Sequence, residues 1–351
     1  MTKIVNACSA FPKYRHSQRE IVALLQKVWP AQEAVLARLE KTSGVEHRNF
    51  SIPLDAYATL GGFEQRNKFY LEAMLSALEK AVIGLQEKTN FPWQDIAVMV
   101  SNTITGVAVP SLDARLMNRL PIPRDVLRTP ILGLGCMGGV ASLNRAAALL
   151  RAFPNKLALV MAAEACSLTF QLNDPTMANL VAASLFGDGA AAVLLAGPEH
   201  PLAKNAPLEI LGGAATFYPD SERVMGWDMV DTGFKIVLSG NVPDIVREHV
   251  GDDTRSFLKR HGLTFPQING LVSHPGGPKV LTALSEVLEK DEKKFSHSWE
   301  SLREQGNMSS VSALNVLERT IDAGSLEPGY ALALAMGPAF NSEITLFKVH
   351  Q

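Results

Sequence analysis

Cysteine is scarce in this chain and odd in number. Cys8, Cys136 and Cys166 are the only three in 351 residues, with no Cys-x-x-Cys pair and no metal-ligand spacing. That argues against a disulfide framework or a cysteine-held metal, and it fits a reducing cytoplasm. Charge is sparse as well. Only 19% of residues are charged and the formal net charge is −2, which gives no electrostatic case for nucleic acid or an anionic membrane as partner. Long hydrophobic runs are missing too. The most apolar, Leu157–Ala163, is too short to span a bilayer, so no stable membrane insertion is expected. Met1–Cys8 lacks the apolar core of a signal peptide. The expectation left standing is a cytoplasmic protein of ordinary globular composition, 47% apolar and too long for one typical core. Two packed halves are expected, 1–200 and 201–351, parted by the proline- and polar-rich stretch Gly197–Pro207.

What is present is an alternation of helical patterns with unbroken apolar strands. Ser17-Gln-Arg-Glu20 is a capping box opening a helix through Leu25, and a second helix is expected from about Ala31 to Lys41. A long helix is read over Asn67–Glu87, with strands at Lys3–Ser9, Ile96–Ser101 and Lys156–Ala163. The last shows no polar alternation, which predicts a sheet covered on both faces and an α/β fold. Cys166–Asn179 reads as loop, and Leu208–Ala214 and Thr232–Leu238 as strands. A helix is read over Asp244–His261, and Tyr330–Met336 and Glu343–Val349 as closing strands.

The chain is organised around Ile131–Leu150. A short apolar run ends near Leu134, Gly135 permits a tight turn, and Val140, Leu143, Ala147 and Leu150 follow at helical spacing. Cys136 therefore sits at or just before the first turn of a helix. Free N–H groups and the positive end of the helix dipole favour a thiolate there, and could hold an oxyanion on an attached substrate. A small cysteine buried at a helix start fits the same stretch. Gly135-Cys-Met-Gly-Gly-Val-Ala-Ser-Leu-Asn144 also matches Gly306-Asn-Met-Ser-Ser-Val-Ser-Ala-Leu-Asn315 in Gly, Met, Val, Leu and Asn, 171 residues further on. A separation near half the chain predicts a duplicated fold, with Asn307 opening a second central helix beside the first. His274 follows the strand Ile268–Ser273, and Pro278 suits the first position of the next helix. Arg38, Lys41, His47 and Arg48 form a small basic cluster, ordinarily a solvated face and less commonly a phosphate site.

On these residues the chain resembles the type III polyketide synthases, the chalcone synthase-like branch of the thiolase-fold condensing enzymes. The resemblance covers nearly the whole chain. It is carried by Gly135-Cys136, Leu185-Phe-Gly-Asp-Gly-Ala190, Ser273-His-Pro-Gly-Gly-Pro278 and Gly306-Asn-Met-Ser-Ser310. It implies a thiolase-like five-layered αβαβα fold of two duplicated halves, a homodimer, and a catalytic triad of Cys136, His274 and Asn307. It also implies gatekeeper aromatics at Phe186 and Phe234, and chamber walls at Thr105, Val109, Cys166, Thr169 and Ser309. CoA contacts are implied at Lys41 and, less directly, Arg38, with the Gly276-Gly277 turn beside them. No cofactor is implied, since CoA thioesters, acyl-CoA and malonyl-CoA, are the substrates. The C-terminal loop is Gly-Phe-Gly-Pro-Gly in many members and Ala335-Met336-Gly337-Pro338-Ala339 here, so the turn at Gly337-Pro338 is kept while the cavity floor is reshaped. The small residues lining the chamber point to a medium- to long-chain acyl-CoA starter and an alkylpyrone or alkylresorcinol product. The rival readings are a ketoacyl-carrier-protein synthase III-like single condensation and a noncatalytic partner subunit.

Overall fold

Unbroken apolar runs become strands that are buried along their whole length: all nine residues of Leu157–Ala165 and all nine of Asp188–Ala196. The computed structural model describes residues 1–350. Its strands are β1 (Lys3–Ala10), β2 (Tyr14–Ser17), β3 (His47–Phe50), β4 (Ile96–Thr103), β5 (Leu127–Leu132), β6 (Leu157–Ala165) and β7 (Asp188–Ala196) in the first half. The second half holds β8 (Leu208–Phe217), β9 (Met225–Val230), β10 (Gly233–Leu238), β11 (Ile268–Ser273), β12 (Gly329–Gly337) and β13 (Asn341–Val349). A two-stranded sheet, β2-β3, and the hairpin β9-β10 stand apart from a nine-stranded sheet of order β11-β12-β13-β8-β1-β7-β6-β4-β5.

The pairings in that sheet repeat. β4 runs parallel to β6, which pairs antiparallel with β7, and β7 pairs antiparallel with β1. β11 runs parallel to β12, which pairs antiparallel with β13, and β13 pairs antiparallel with β8. The two copies join where Lys3 and Ile4 of β1 meet Glu209 and Leu208 of β8. The duplication read from a ten-residue match is thus present in the strand order. Helix Phe63–Thr89 covers β1, β6 and β7 from outside. Helices Gly138–Leu150 and Ser310–Asp322 lie between the sheet halves, and Gly251–Arg260, Pro278–Val287 and Ser296–Gln305 form the far layer. This is the αβαβα arrangement expected.

The two central helices carry the inner core. Val140, Leu143, Ala147 and Leu150 are buried together with Val311, Leu314 and Leu317. They cross closely because Gly139 has no side chain: a Cβ there would lie 2.3 Å from the Ser310 carbonyl oxygen. The capping box also forms, Glu20 N–H donating to Ser17 Oγ at 3.3 Å and Ser17 N–H to Glu20 Oε2 at 2.8 Å.

Three local expectations are corrected. The last three residues of the segment read as loop, Met177–Asn179, open helix Met177–Leu185, whose mostly apolar composition shows little helical period. The Asp244–His261 helix starts at Val242 and contains a π-helical turn at Val246–Val250. Asn307 does not open the second central helix, which begins at Ser310. Its backbone is extended and bridged to Phe186, with its N–H and C=O bonded to Leu185 and Gly187.

The loop between β12 and β13 shows what its departure from glycine costs. Ala335 lies in β12, fully buried, where alanine is at no disadvantage. Ala339 instead adopts φ +53°, held there by bonds from its N–H to the Met225 carbonyl and from Ser221 Oγ to its own carbonyl. A left-handed backbone costs an alanine about 1–2 kcal/mol. Glycine would give part of that back as unfolded-state entropy. Ala339→Gly is therefore expected to raise stability by about 0.5–1 kcal/mol, read as an increased denaturation midpoint at unchanged m-value; a lowered midpoint would show that the loop is not strained.

Candidate active site

Gly135–Met137 forms a tight 3-10 turn leading directly into helix Gly138–Leu150, so Cys136 sits where a helix starts. Gly135 takes φ +50°, and a Cβ on it would lie 2.6 Å from Pro338 Cδ. Gly337 packs as closely on the other side of the turn, its own missing Cβ 2.5 Å from the Leu134 carbonyl oxygen. Gly337 and Pro338 thus buttress the backbone that presents Cys136.

From the sulfur the site can be followed by contacts. The Ser309 hydroxyl faces Cys136. Ser309 N–H donates to Asn307 Oδ1 at 2.8 Å, and Asn307 Nδ2 reaches the Gly276 carbonyl at 3.4 Å. Gly276 N–H bonds the His274 carbonyl at 3.0 Å, and His274 N–H the Leu334 carbonyl of β12 at 2.9 Å. Cys136, Ser309, Asn307, Gly276 and His274 are one cluster drawn from both halves of the chain. His274 and Asn307 are both 3% exposed, while Cys136 keeps part of its surface open. His274 Nδ1 has no partner, and Asn307 Nδ2 has only its long contact. Buried polar groups left unpaired in this way are costly. Gly277, with φ +146°, ends the turn that feeds Pro278, which starts its helix as expected.

Burial sets the charge of these groups. It pushes the Cys136 thiol up to about 12, with the Glu164 carboxylate adding to the rise and the Ser309 hydroxyl opposing it. It pulls His274 down to about 3. Both shifts favour the uncharged forms, a thiol and an imidazole, and act against the pull of the helix start toward a thiolate.

The wall residues divide. Thr105, Cys166, Thr169 and Ser309 are all buried. Thr105 Oγ1 donates to Glu164 Oε2 at 2.7 Å and accepts from Ala165 N–H at 2.8 Å, so its hydroxyl is fully occupied. Thr169 Oγ1 is bonded to the Cys166 carbonyl at 2.7 Å. Val109 is 86% exposed, yet with Gly106, Leu112 and Ile131 it lines an apolar cavity beside this loop. Asn67 clamps the loop at Val107 and Glu164 holds it at Thr105, which leaves Val109 at the outward tip.

Phe186 and Phe234 are both buried. Phe186 borders Asn307 through the backbone bridge, and Phe234 packs edge-on to Phe63 at 6.0 Å. Trp227 stands between the two phenylalanines, 6.1 Å from Phe186 and 6.4 Å from Phe234, and no sequence pattern marked it. Glu164 and Asp188 were also missed. Glu164 accepts from Ile104 N–H, Thr105 N–H and Ser310 Oγ, tying the Thr105 loop to the start of the second central helix. Asp188, in the Gly-Asp-Gly turn, binds Ser51 and Ser167 through backbone and side chain, fixing the turn that bears Cys166. A lone charge inside an apolar strand was the available signal for both.

Arg38 and Lys41 are exposed on the last turns of helix Glu33–Thr42, and neither has a carboxylate within ion-pair distance among the described residues. Gly44, just beyond, packs against Pro278, so this helix end meets the start of the helix that bears Lys279. An open cleft of about 450 Å³ lies there, lined by Asp244, Arg247, Pro278, Lys279 and Thr282. Arg48 does not belong to this basic surface, being completely buried.

Two equivalent halves, with Cys136 where the first central helix starts, define a protein of the thiolase-fold class. Comparison with known proteins narrows the class. Residues 16–210 match the family model for FAE1/type III polyketide synthase-like proteins, and residues 209–349 that for the C-terminal domain of chalcone and stilbene synthases. The chain is 39% identical to a 1,3,6,8-tetrahydroxynaphthalene synthase of Streptomyces peucetius subsp. caesius, over 99% of this chain and 93% of that one. It is 35% identical to a putative chalcone synthase of Bacillus subtilis, over 99% of both. The crystal structure of the tetrahydroxynaphthalene synthase from Streptomyces coelicolor superposes with a TM-score of 0.93 at 28% identity, covering 99% of each chain. The chain belongs to the type III polyketide synthase family.

Proposed function

We propose that this protein extends a thioester held on Cys136 with malonyl-CoA and releases a cyclised polyketide. The observation that carries the reading is the cluster itself: a partly exposed Cys136 at a helix start, Ser309 facing it, and Asn307 linked to Ser309 and to the Gly276 turn after His274. Cys136 attacks the starter thioester as its proton passes to His274. The two charges arise together, so their mutual attraction offsets the desolvation each would suffer alone. A sulfur–acyl bond forms and CoA leaves as the thiol. Malonyl-CoA then loses carbon dioxide, and His274 and Asn307 donate to the thioester oxygen that bears the enolate charge. The enolate carbon attacks the acyl group, the Cys136 thiolate departs, and the chain is longer by two carbons. Phe186 and Phe234 separate this chamber from the CoA cleft, where Lys41, Arg38 and Lys279 meet the phosphates. Turnover of malonyl-CoA without a carrier protein tests the reading. A requirement for the carrier would favour the synthase III-like alternative, and an iodoacetamide-inert Cys136 a noncatalytic subunit.

Two starters have support. The name of the tetrahydroxynaphthalene synthases, with oxygens at positions 1, 3, 6 and 8, describes a product built from two-carbon units, so malonyl-CoA can supply starter and extender alike. A medium- to long-chain acyl-CoA, giving an alkylpyrone or alkylresorcinol, is favoured by an apolar cavity of about 150 Å³. Leu78, Gly106, Leu112, Ile131 and Met161 line it next to Thr105. Each buried methylene would contribute about 0.8 kcal/mol there. Mass spectrometry of products from malonyl-CoA alone and with an acyl-CoA panel distinguishes them. If the chain is long, Cys166→Phe should lower kcat/KM for it more than for hexanoyl-CoA, since an enlarged wall costs about 1–3 kcal/mol of strain. An unchanged ratio would remove the chain from this wall. Val109→Phe, which narrows the same cavity, should act in the same direction.

We also infer a homodimer formed along β5. This strand ends the sheet with an unpaired edge, and Leu127, Leu132 and the neighbouring Val109 are exposed at 44, 59 and 86%. Such an apolar edge invites a covering partner. Sedimentation should show a dimer that Val109→Asp weakens at least about tenfold, roughly the 1.4 kcal/mol of one desolvated charge or more; a monomeric parent would contradict it.

A further inference from the structure

The proposed chemistry makes no use of Arg48, yet few charged groups are placed so unusually. It is completely buried, with no carboxylate within ion-pair distance among the described residues. Its Nη1 donates to the carbonyls of Ala183 and Phe186, both at 2.7 Å, and its Nε to Gln18 Oε1 at 3.1 Å. Gln18 in turn donates to the Ser184 carbonyl at 2.7 Å. Those carbonyls belong to the end of helix Met177–Leu185, so the guanidinium is a cation at a helix C-terminus holding carbonyls the helix cannot satisfy.

Phe186 is the residue at which that helix ends. Its neighbours hold Asn307 through two backbone bonds, Asn307 N–H to the Leu185 carbonyl at 2.9 Å and Gly187 N–H to the Asn307 carbonyl at 3.0 Å. The Arg48 stem packs on the other side of the same strip. A Cβ on Gly306 would lie 2.9 Å from Arg48 Cδ and 2.6 Å from the Leu185 carbonyl oxygen. Phe50 closes the remaining side, its ring centre 5.3 Å from Arg48 Cζ. Phe186 and Asn307 therefore have one common support, and that support is a single side chain from the short strand β3.

We propose that Arg48 is a positioning residue that locks Phe186 and Asn307 into one unit, aiming the Asn307 amide at the malonyl thioester. This rests on the reading of Asn307 as a decarboxylation donor. Cys136 is presented by a different support, the Gly337-Pro338 buttress, so Arg48 acts on decarboxylation and leaves acyl loading intact. A catalytic amide displaced by a fraction of an ångström loses much of its effect, because charge stabilisation depends on pre-aimed donors.

The test uses Arg48→Lys, which keeps the charge but loses the planar fork, and Arg48→Met, which loses both. Two steps are measured on the full chain: transfer of a radiolabelled starter from acyl-CoA to Cys136, and carbon dioxide release from malonyl-CoA. Arg48→Lys is expected to lower carbon dioxide release at least about tenfold while loading changes less than about threefold. Arg48→Met, if it folds, should lower release further. Placed on Asn307→Ala, Arg48→Lys should add no further loss, since both would act through one amide. Equal losses in loading and release, or full additivity with Asn307→Ala, would overturn the proposal and leave Arg48 a structural residue. Asn307→Ala alone keeps the two readings apart. If it releases carbon dioxide normally, the donor reading of Asn307 fails; if it does not while Arg48→Lys does, only the positioning role fails.

Discussion

Cys136→Ala is expected to abolish product formation, at least about 10³-fold, because no other group offers a nucleophile at the helix start. Cys8→Ser should keep activity. Cys8 lies in β1 against Gly84, and burial with the nearby Glu318 carboxylate pushes its thiol up to about 11. Cys166 is the stricter control, being buried close enough for Cys136 to influence its titration. The Cys136→Ala protein should take up no labelled starter at all; label retained on Cys166 would reassign the nucleophile. The charge state adds a second readout. A thiol held near 12 is protonated throughout the working range, so alkylation of the resting enzyme by iodoacetamide should climb about tenfold per pH unit from pH 6 to 9. A pH-independent plateau would instead mean a preformed thiolate–imidazolium pair.

The second large effect divides the two halves of the reaction. Asn307 can donate a hydrogen bond but cannot accept a proton from a thiol, whereas the His274 imidazole can do both. Asn307→Ala should lower carbon dioxide release from malonyl-CoA about 10²–10³-fold, some 3–4 kcal/mol of barrier, with starter loading nearly intact. His274→Ala should impair both steps. Circular dichroism and thermal unfolding establish that the variants are folded. Since Asn307 Oδ1 also accepts the Ser309 N–H, Asn307→Asp keeps that bond while replacing the donor by a charge, and it too should fail in decarboxylation.

What could be read from the sequence follows from how locally each feature is specified. Cys136 was placed because Gly135, the glycines after it and the Val140–Leu150 spacing all act within a few residues. His274 was placed because a strand, a glycine turn and a helix-opening proline surround it. The duplication was legible because two equivalent helix starts keep the same small residues. Asn307 was assigned to a helix it only precedes, since its extended backbone is imposed by Leu185 and Gly187, more than 100 residues away. Arg48 was read as surface for the same reason: two backbone carbonyls and Gln18 pull a cation into the core. Trp227 could not be found at all, because only the pairing of β9 with β10 brings it between Phe186 and Phe234.

The central claim is that one site, built on Cys136, His274 and Asn307, carries out decarboxylative condensation on thioesters of CoA. The most direct measurement is peptide mass mapping of the whole protein, quenched during turnover of isotopically labelled malonyl-CoA with no carrier protein present, alongside the carbon dioxide released. The account predicts a labelled acyl adduct on the Cys136 peptide and carbon dioxide release in the parent, with the adduct retained and release lost in Asn307→Ala once a preformed acyl-CoA is supplied. An adduct on Cys166 or Cys8, or release that survives in Asn307→Ala, would contradict it.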